Sequence, residues 1–183
     1  MGRPRSFKDN DILDRALQAF WAAGFEATTI ENLEAATGLK RASLYGAFGD
    51  KEALFRACLV RYGHSVAGPW MRDLAGRRGP KGVAAFLARV AALAGADPQN
   101  RGCLMVNTAA AGKTSPEVDT HMARFREAFA GAFAADPTVA RDRADARADA
   151  ALALMLGLLV LSRLGLPRGR LEPAARALFF DET

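Results

Sequence analysis

Apolar residues recur along the first quarter of the chain at spacings of three and four. Ile12, Leu13, Ala16, Leu17, Phe20 and Trp21 share one helical face and Asp11, Asp14, Arg15 and Gln18 the other, which predicts an amphipathic helix over residues 9–23. Asp9 and Asp11 suit the positive end of its dipole, and Gly24 supplies a C-cap. Thr28-Thr29-Ile30-Glu31 then reads as a capping box, with Thr28 as N-cap and Glu31 three residues on. Ile30, Leu33 and Ala36 give a second helix a narrow apolar stripe, which Thr37-Gly38 stops. A third short helix is expected over residues 40–48 with Leu44 and Phe48 inward. Gly49-Asp50 ends it and caps a fourth that opens with Lys51-Glu52. Two short helices joined at a glycine and packed on a longer one form a helix-turn-helix unit.

The same periodicity continues. The fourth helix should run past Tyr62 toward Leu74, bent or ended at Gly68-Pro69. Residues 76–82 form a basic, glycine-rich loop, residues 83–93 a helix, residues 97–100 a turn and residues 104–111 an apolar helix. Ser115-Pro116-Glu117 is a helix start, with Ser as cap and Pro at the first position. That helix carries Val118, Met122, Phe125, Phe129 and Phe133, and Asp136-Pro137 breaks it. Alternating charges over residues 141–149 lead into an apolar helix ending near Gly165, whose all-round apolar surface predicts burial. A last short helix is expected over residues 172–180. The reading is all-α. An N-terminal three-helix helix-turn-helix domain with a basic arm is expected over residues 1–55 and a larger helical domain over residues 56–183.

Composition narrows this picture less than it first suggests. Half of the 183 residues are hydrophobic and a quarter charged, a globular balance. The net charge of +5 invites a nucleic-acid partner. Yet residues 1–60 carry equal numbers of cations and acids, and much of the excess lies in residues 61–89, where Asp73 alone opposes the cations. Local placement of cations must therefore carry the DNA argument. Cys58 and Cys103 are too few for a disulfide framework and lack metal-pair spacing. Basic residues at the N-terminus are followed by acids instead of a signal core. The most apolar run, residues 150–161, falls short of the roughly 20 residues that span a bilayer. The expectation is a cytoplasmic protein with no membrane segment. His64 and His121 have no metal-ligand spacing. Paired carboxylates, catalytic triads and phosphate loops do not emerge at meaningful spacing, so neither an enzyme nor a cofactor is expected.

The chemistry concentrates in three runs: Gly24-Phe25-Glu26-Ala27-Thr28-Thr29-Ile30, Gly38-Leu39-Lys40-Arg41-Ala42-Ser43-Leu44-Tyr45, and Phe48-Gly49-Asp50-Lys51-Glu52-Ala53-Leu54-Phe55. A recognition helix needs small residues where backbone and side chains approach base edges, and Ala42, Ser43, Gly46 and Ala47 are small. Arg41 can reach a guanine edge in the bidentate manner, and Ala42 a thymine methyl. Lys51 sits at a helix N-terminus, where free N–H groups favour an anion.

Over residues 8–60 the chain resembles the TetR family of transcriptional regulators. The resemblance implies a homodimeric repressor that binds a pseudo-palindromic double-stranded operator and is released by a small-molecule effector. It also implies that Thr29, Tyr45 and Lys51 hold the phosphate backbone, with Lys40 and Ser43 assisting. The chain departs from the family pattern after Tyr45, where Gly46-Ala47 replaces a common aromatic or histidine, and at Glu31, where a basic residue is common. Gly2-Arg3-Pro4-Arg5 looks like a minor-groove arm, with Arg3 and Arg5 entering an A·T-rich groove. A sequence-tolerant architectural protein built on that arm is the alternative.

In the C-terminal part, Ala146, Ala150, Ala153 and Gly157 fall at i, i+4, i+7 and i+11. They leave a small-residue face, with Leu161 adjoining, on which a partner helix can lie. Trp70, Met71, Phe86, Met105, Phe125 and Phe129 are candidates for an effector cavity. Asn107 is its candidate polar group, because a buried amide needs partners. Cys103 lies near Arg101, a cation that favours thiolate; it reads either as an oxidant- or electrophile-sensing residue or as a small buried hydrophobe.

Overall fold

The computed structural model describes residues 5–113 and 115–177, with side chains from residue 10 onward. Among the described residues every regular element is helical: α1 (Arg5–Ala23), α2 (Ile30–Thr37), α3 (Arg41–Phe48), α4 (Lys51–Tyr62), a π-helical turn (Gly63–Ala67), α5 (Gly68–Ala75), α6 (Gly79–Ala94), α7 (Leu104–Ala110), α8 (Pro116–Ala134), α9 (Arg141–Arg163) and α10 (Arg168–Ala177).

Local chemistry sets the boundaries of the head. Gly24 and Gly38 take left-handed φ values of 86° and 74°, which close α1 and α2 without a Cβ clash. The capping box is shifted one residue from the expected one. Thr29 is the N-cap and Asn32 its partner, each side chain accepting from the other's backbone N–H at 3.2 and 2.9 Å. Thr28 is buried and its hydroxyl donates to the Gly24 carbonyl at 2.6 Å, so it closes the preceding loop instead. The Lys40 side chain leaves the start of α3 uncapped. Glu34 from α2 does the work, accepting from the Arg41 backbone N–H at 2.6 Å. One carboxylate thereby fixes the angle between the two short helices. Asp50 caps α4 by accepting from Ala53.

The helical run that follows is interrupted where the sequence places Gly68-Pro69. Pro69 offers no N–H and its ring collides with the carbonyl four residues back; the chain widens into a π-turn before resuming as α5. Two later helices begin earlier than their apolar periodicity suggests, α6 at Gly79 and α10 at Arg168. In α6, Pro80 in the first turn starts the helix ahead of the periodic segment.

One continuous core unites the chain. Phe20, Leu33, Leu44, Leu54 and Phe55 fill the head, while Phe86, Phe125 and Phe129 form an aromatic cluster in the body. Their ring centroids lie 5.8–6.5 Å apart. Polar ties also bind α1 and α4 to the rest of the chain. Arg61 donates twice to Asp14, at 2.8 and 2.7 Å. Arg56 donates twice to Glu117, at 3.0 and 2.9 Å. The Trp21 indole N–H donates to the Gly102 carbonyl at 3.1 Å, under an Arg101 guanidinium 4.2 Å from the ring centroid. Gly102 has a φ of 63° and a Cβ there would meet the Leu159 carbonyl at 2.9 Å, so that joint requires glycine.

The expectation that the apolar helix is buried all round does not hold for a single chain. In α9, Ala144, Ala148, Ala151, Met155, Leu158 and Leu159 face the core. Val160, Leu161 and Leu164 face outward, Leu164 with 76% of its surface exposed.

Candidate functional site

The head exposes the start of α2 and the outer face of α3. Thr29 at the start of α2, Lys40, and Arg41, Ala42, Ser43, Gly46 and Ala47 of α3 are all exposed, while Leu44 anchors the opposite face with no surface accessible. Small side chains on the outer face let the helix approach a groove, and a single long cation, Arg41, projects from its first turn. The Arg41 guanidinium lies 5.4 Å from the Tyr45 ring centroid, stacked back along its own helix. Tyr45 is half-buried. Lys51, also half-buried, holds its ammonium 4.4 Å from the Phe25 ring centroid, and Lys113 shares that ring at 4.0 Å. Thr29, Lys40, Arg41, Ala42, Ser43 and Gly46 thus stand exposed along α2 and α3, with Tyr45 and, at the start of α4, Lys51 half-buried. Of the arm, Arg3 lies outside the described residues. Arg5 opens α1, so the helix begins where an unstructured arm was expected.

The body contains a cavity of about 610 Å³ between α4, the π-turn, α5, α7 and α8. Leu59, Val60, Ala67, Met71 and Met105 give it an apolar wall, and Arg72, Glu117, Thr120, His121 and Arg124 the polar one. Burial, helped by nearby Arg124, lowers the His121 pKa to about 4 and keeps the ring neutral. The two Arg56 hydrogen bonds hold Glu117 below the usual carboxylate range.

Of the residues expected to line one pocket, Met71 and Met105 meet in this cavity and the rest do not. Trp70 and Phe86 border a separate pocket of about 190 Å³ with Arg89 and Val90. Phe125 and Phe129 are core residues, exposed by 1% or less. Asn107 borders a groove of about 530 Å³ between head and body, and its amide already donates to the Arg101 carbonyl at 2.7 Å. Cys103 is buried, and burial raises its thiol pKa against an opposing hydrogen bond from Tyr62. Arg101 does not activate it, being committed to Asp97, Gln18 and the Trp21 ring. Cys58 is likewise buried and pushed up to about 12. The polar cavity wall escapes a search for aromatic periodicity. Its trace in the sequence is Glu117, His121 and Arg124 at i, i+4 and i+7, one stripe round α8 from Phe125.

A third surface runs along α9. Ala146, Ala150 and Ala153 are exposed, Gly157 is half-exposed and Leu161 is 40% exposed. A Cβ built on Gly157, or on Gly131 of the neighbouring α8, meets nothing within 4 Å. Among the described residues, His, Cys, Asp and Glu nowhere gather into a group of three that can hold a metal ion. No helix there is long and apolar enough to cross a membrane.

Comparison with known proteins agrees with this geometry. The family model described as bacterial regulatory proteins, tetR family, matches residues 12–58. The HTH-type transcriptional repressor ComR of Escherichia coli K12 is 49% identical over 61 residues, covering 33% of this chain and 29% of that protein. The match thus spans under a third of the curated relative's length. Solved structures match along the whole chain. A cysteine-substituted form of the TetR family transcriptional regulator CifR, complexed with 26-base-pair double-strand operator DNA, is 29% identical with a TM-score of 0.82; the match covers 99% of this chain and 100% of that one. A TetR transcriptional regulator from Rhodococcus sp. RHA1 is 30% identical over 91% of this chain and 94% of its own, with a TM-score of 0.53. With a helix-turn-helix head, an all-helical body and relatives of this kind along its length, the chain belongs to the TetR family of bacterial transcriptional regulators.

Proposed function

We propose that the chain acts as a homodimeric repressor that reads a pseudo-palindromic operator and is released when a small molecule occupies the cavity in its body. The observation that carries this is mechanical continuity. α4 begins at Lys51 in the head and carries Leu59 and Val60, in its last turn, into the cavity wall. Arg56 of the same helix is tied to Glu117 of the opposite wall. An occupant that prefers a different spacing of α4 and α8 shifts the head, and it acts only through its difference in affinity between the two states. Residues 1–55 serve as reading head and residues 56–183 as effector and dimer body.

Dimerisation supplies the second half-site, one helical turn of DNA or about 34–36 Å away. The exposed face of α9, continued by Gly131 of α8, is the surface on which a second copy packs. The operator-bound form of CifR supports DNA as the partner. Selection of random duplexes at physiological salt, with Arg41→Ala and Lys51→Ala in parallel, tests the reading. A two-fold symmetric site is expected. Arg41→Ala should cost about 1–3 kcal/mol and relax one operator position. Lys51→Ala should weaken all sequences alike and flatten the salt slope by about one unit. Enrichment of generic A·T-rich DNA, unchanged by Arg41→Ala, overturns the reading in favour of an arm-driven architectural protein.

A further inference from the structure

We infer that the cavity between α4, α5 and α8 takes an amphiphilic carboxylate: an apolar body against Met71 and Met105, and an anionic head between Arg72 and Arg124. The inference rests on the reading of this cavity as the effector site, and the charge balance of its wall supplies the rest. Three charged side chains line it: Arg72, Glu117 and Arg124. Arg56 donates twice to Oε1 of Glu117 and offsets its charge, while the buried Oε2 has no hydrogen-bond partner. Arg72 and Arg124 form no ion pair with any described acid, although neighbouring Asp73 is engaged by Arg77 and Arg89. Two guanidiniums in the lining of one cavity, against a single described acidic lining residue whose charge Arg56 offsets, leave a local positive excess that an ammonium ligand would meet as repulsion and a carboxylate as attraction. Guanidinium forks match carboxylate oxygens in geometry as well as charge.

The remaining wall sets the rest of the molecule. Leu59, Val60 and Ala67 extend the thioether surface of the two methionines, a soft lining that adapts to differently shaped apolar bodies. The volume of about 610 Å³ lies within the roughly 300–1,000 Å³ of small-molecule sites. The π-turn forms one side, and such single-turn widenings recur at functional sites because they open the backbone ladder toward a ligand.

Calorimetric titration of the full chain with two matched sets of probes tests this. Decanoate, 1-decanol and decylamine form one set; 4-phenylbutanoate, 4-phenylbutanol and 4-phenylbutylamine form the other. Each set fixes the tail and varies only the head. At least one carboxylate is expected to bind roughly tenfold more tightly than its alcohol, with the amine weakest. Arg72→Gln and Arg124→Gln should each erase most of that preference and leave alcohol binding in place; Arg72→Lys should retain part of it. Met71→Trp, which fills the cavity, should abolish binding of both sets while thermal unfolding stays cooperative. Equal affinity for acid and alcohol, preference for the amine, or binding of neither carboxylate overturns the inference. Operator binding measured with the same probes keeps the two readings apart. A carboxylate that binds without loosening the operator upholds this site and sinks the release mechanism. Release by acid, alcohol and amine alike upholds the mechanism and sinks the carboxylate assignment.

Discussion

A single ring on α8 gives the body a titration of its own. His121 has a folded pKa of about 4 against an ordinary 6.5, chiefly because it is buried and secondarily because Arg124 is near. Between those values the unfolded chain binds a proton that the folded chain refuses. Its stabilising effect is therefore complete above pH 6.5 and lost as pH falls toward 4, a loss on the order of 3 kcal/mol. His121→Gln should flatten the pH dependence of denaturant midpoints across that window; an unchanged slope would place the titration elsewhere. Individual residues also mark where sequence reasoning stops. Thr28 and Thr29 both look like caps, and burial of the first alone decides between them. Cys103 beside Arg101 looks activated in one dimension, but Arg101 spends its donors on Asp97 and Gln18 in three.

At the level of elements, helices were legible wherever their apolar stripes faced a core. The head is the clearest case, because α2 and α3 are short and nearly every residue is fixed by a cap, a stripe or the reading surface. α6 and α10 start earlier than expected because their first turns carry few periodic apolar residues to announce them. The cavity was less legible still. It is assembled from one face each of five elements, and aromatic residues chosen for size fell into the core instead. α9 shows the opposite: its spacing of Ala146, Ala150, Ala153 and Gly157 survives as an exposed, small-residue ridge. Ala153→Glu on that ridge should leave the chain's far-ultraviolet dichroism intact and shift its sedimentation from dimer to monomer, since a charge buried without a partner strongly disfavours association. A dimer indifferent to this substitution would locate the interface on another face.

The whole molecule is a head and body that share a core yet meet through a few polar ties. Cutting one of them separates binding from response. Arg61→Gln removes the tie to Asp14 while leaving Arg56, Glu117, Arg72, Arg124 and the apolar wall in place. Ligand affinity measured by calorimetry should change little, while the ligand-induced loss of operator affinity should shrink; equal change in both would mean the tie is only structural. Another tie can be watched without being cut. The chain has two tryptophans, and Trp21 sits at the joint, its N–H on Gly102, a cation over its face and the Tyr62 ring 5.1 Å away. In a Trp70→Phe background its emission comes from that one place. Movement of the head against the body must alter the hydrogen bond, the cation or the neighbouring ring, and each of these changes indole fluorescence. Operator and effector should then produce distinct spectra from one intrinsic fluorophore, giving the switch an optical readout that needs no label.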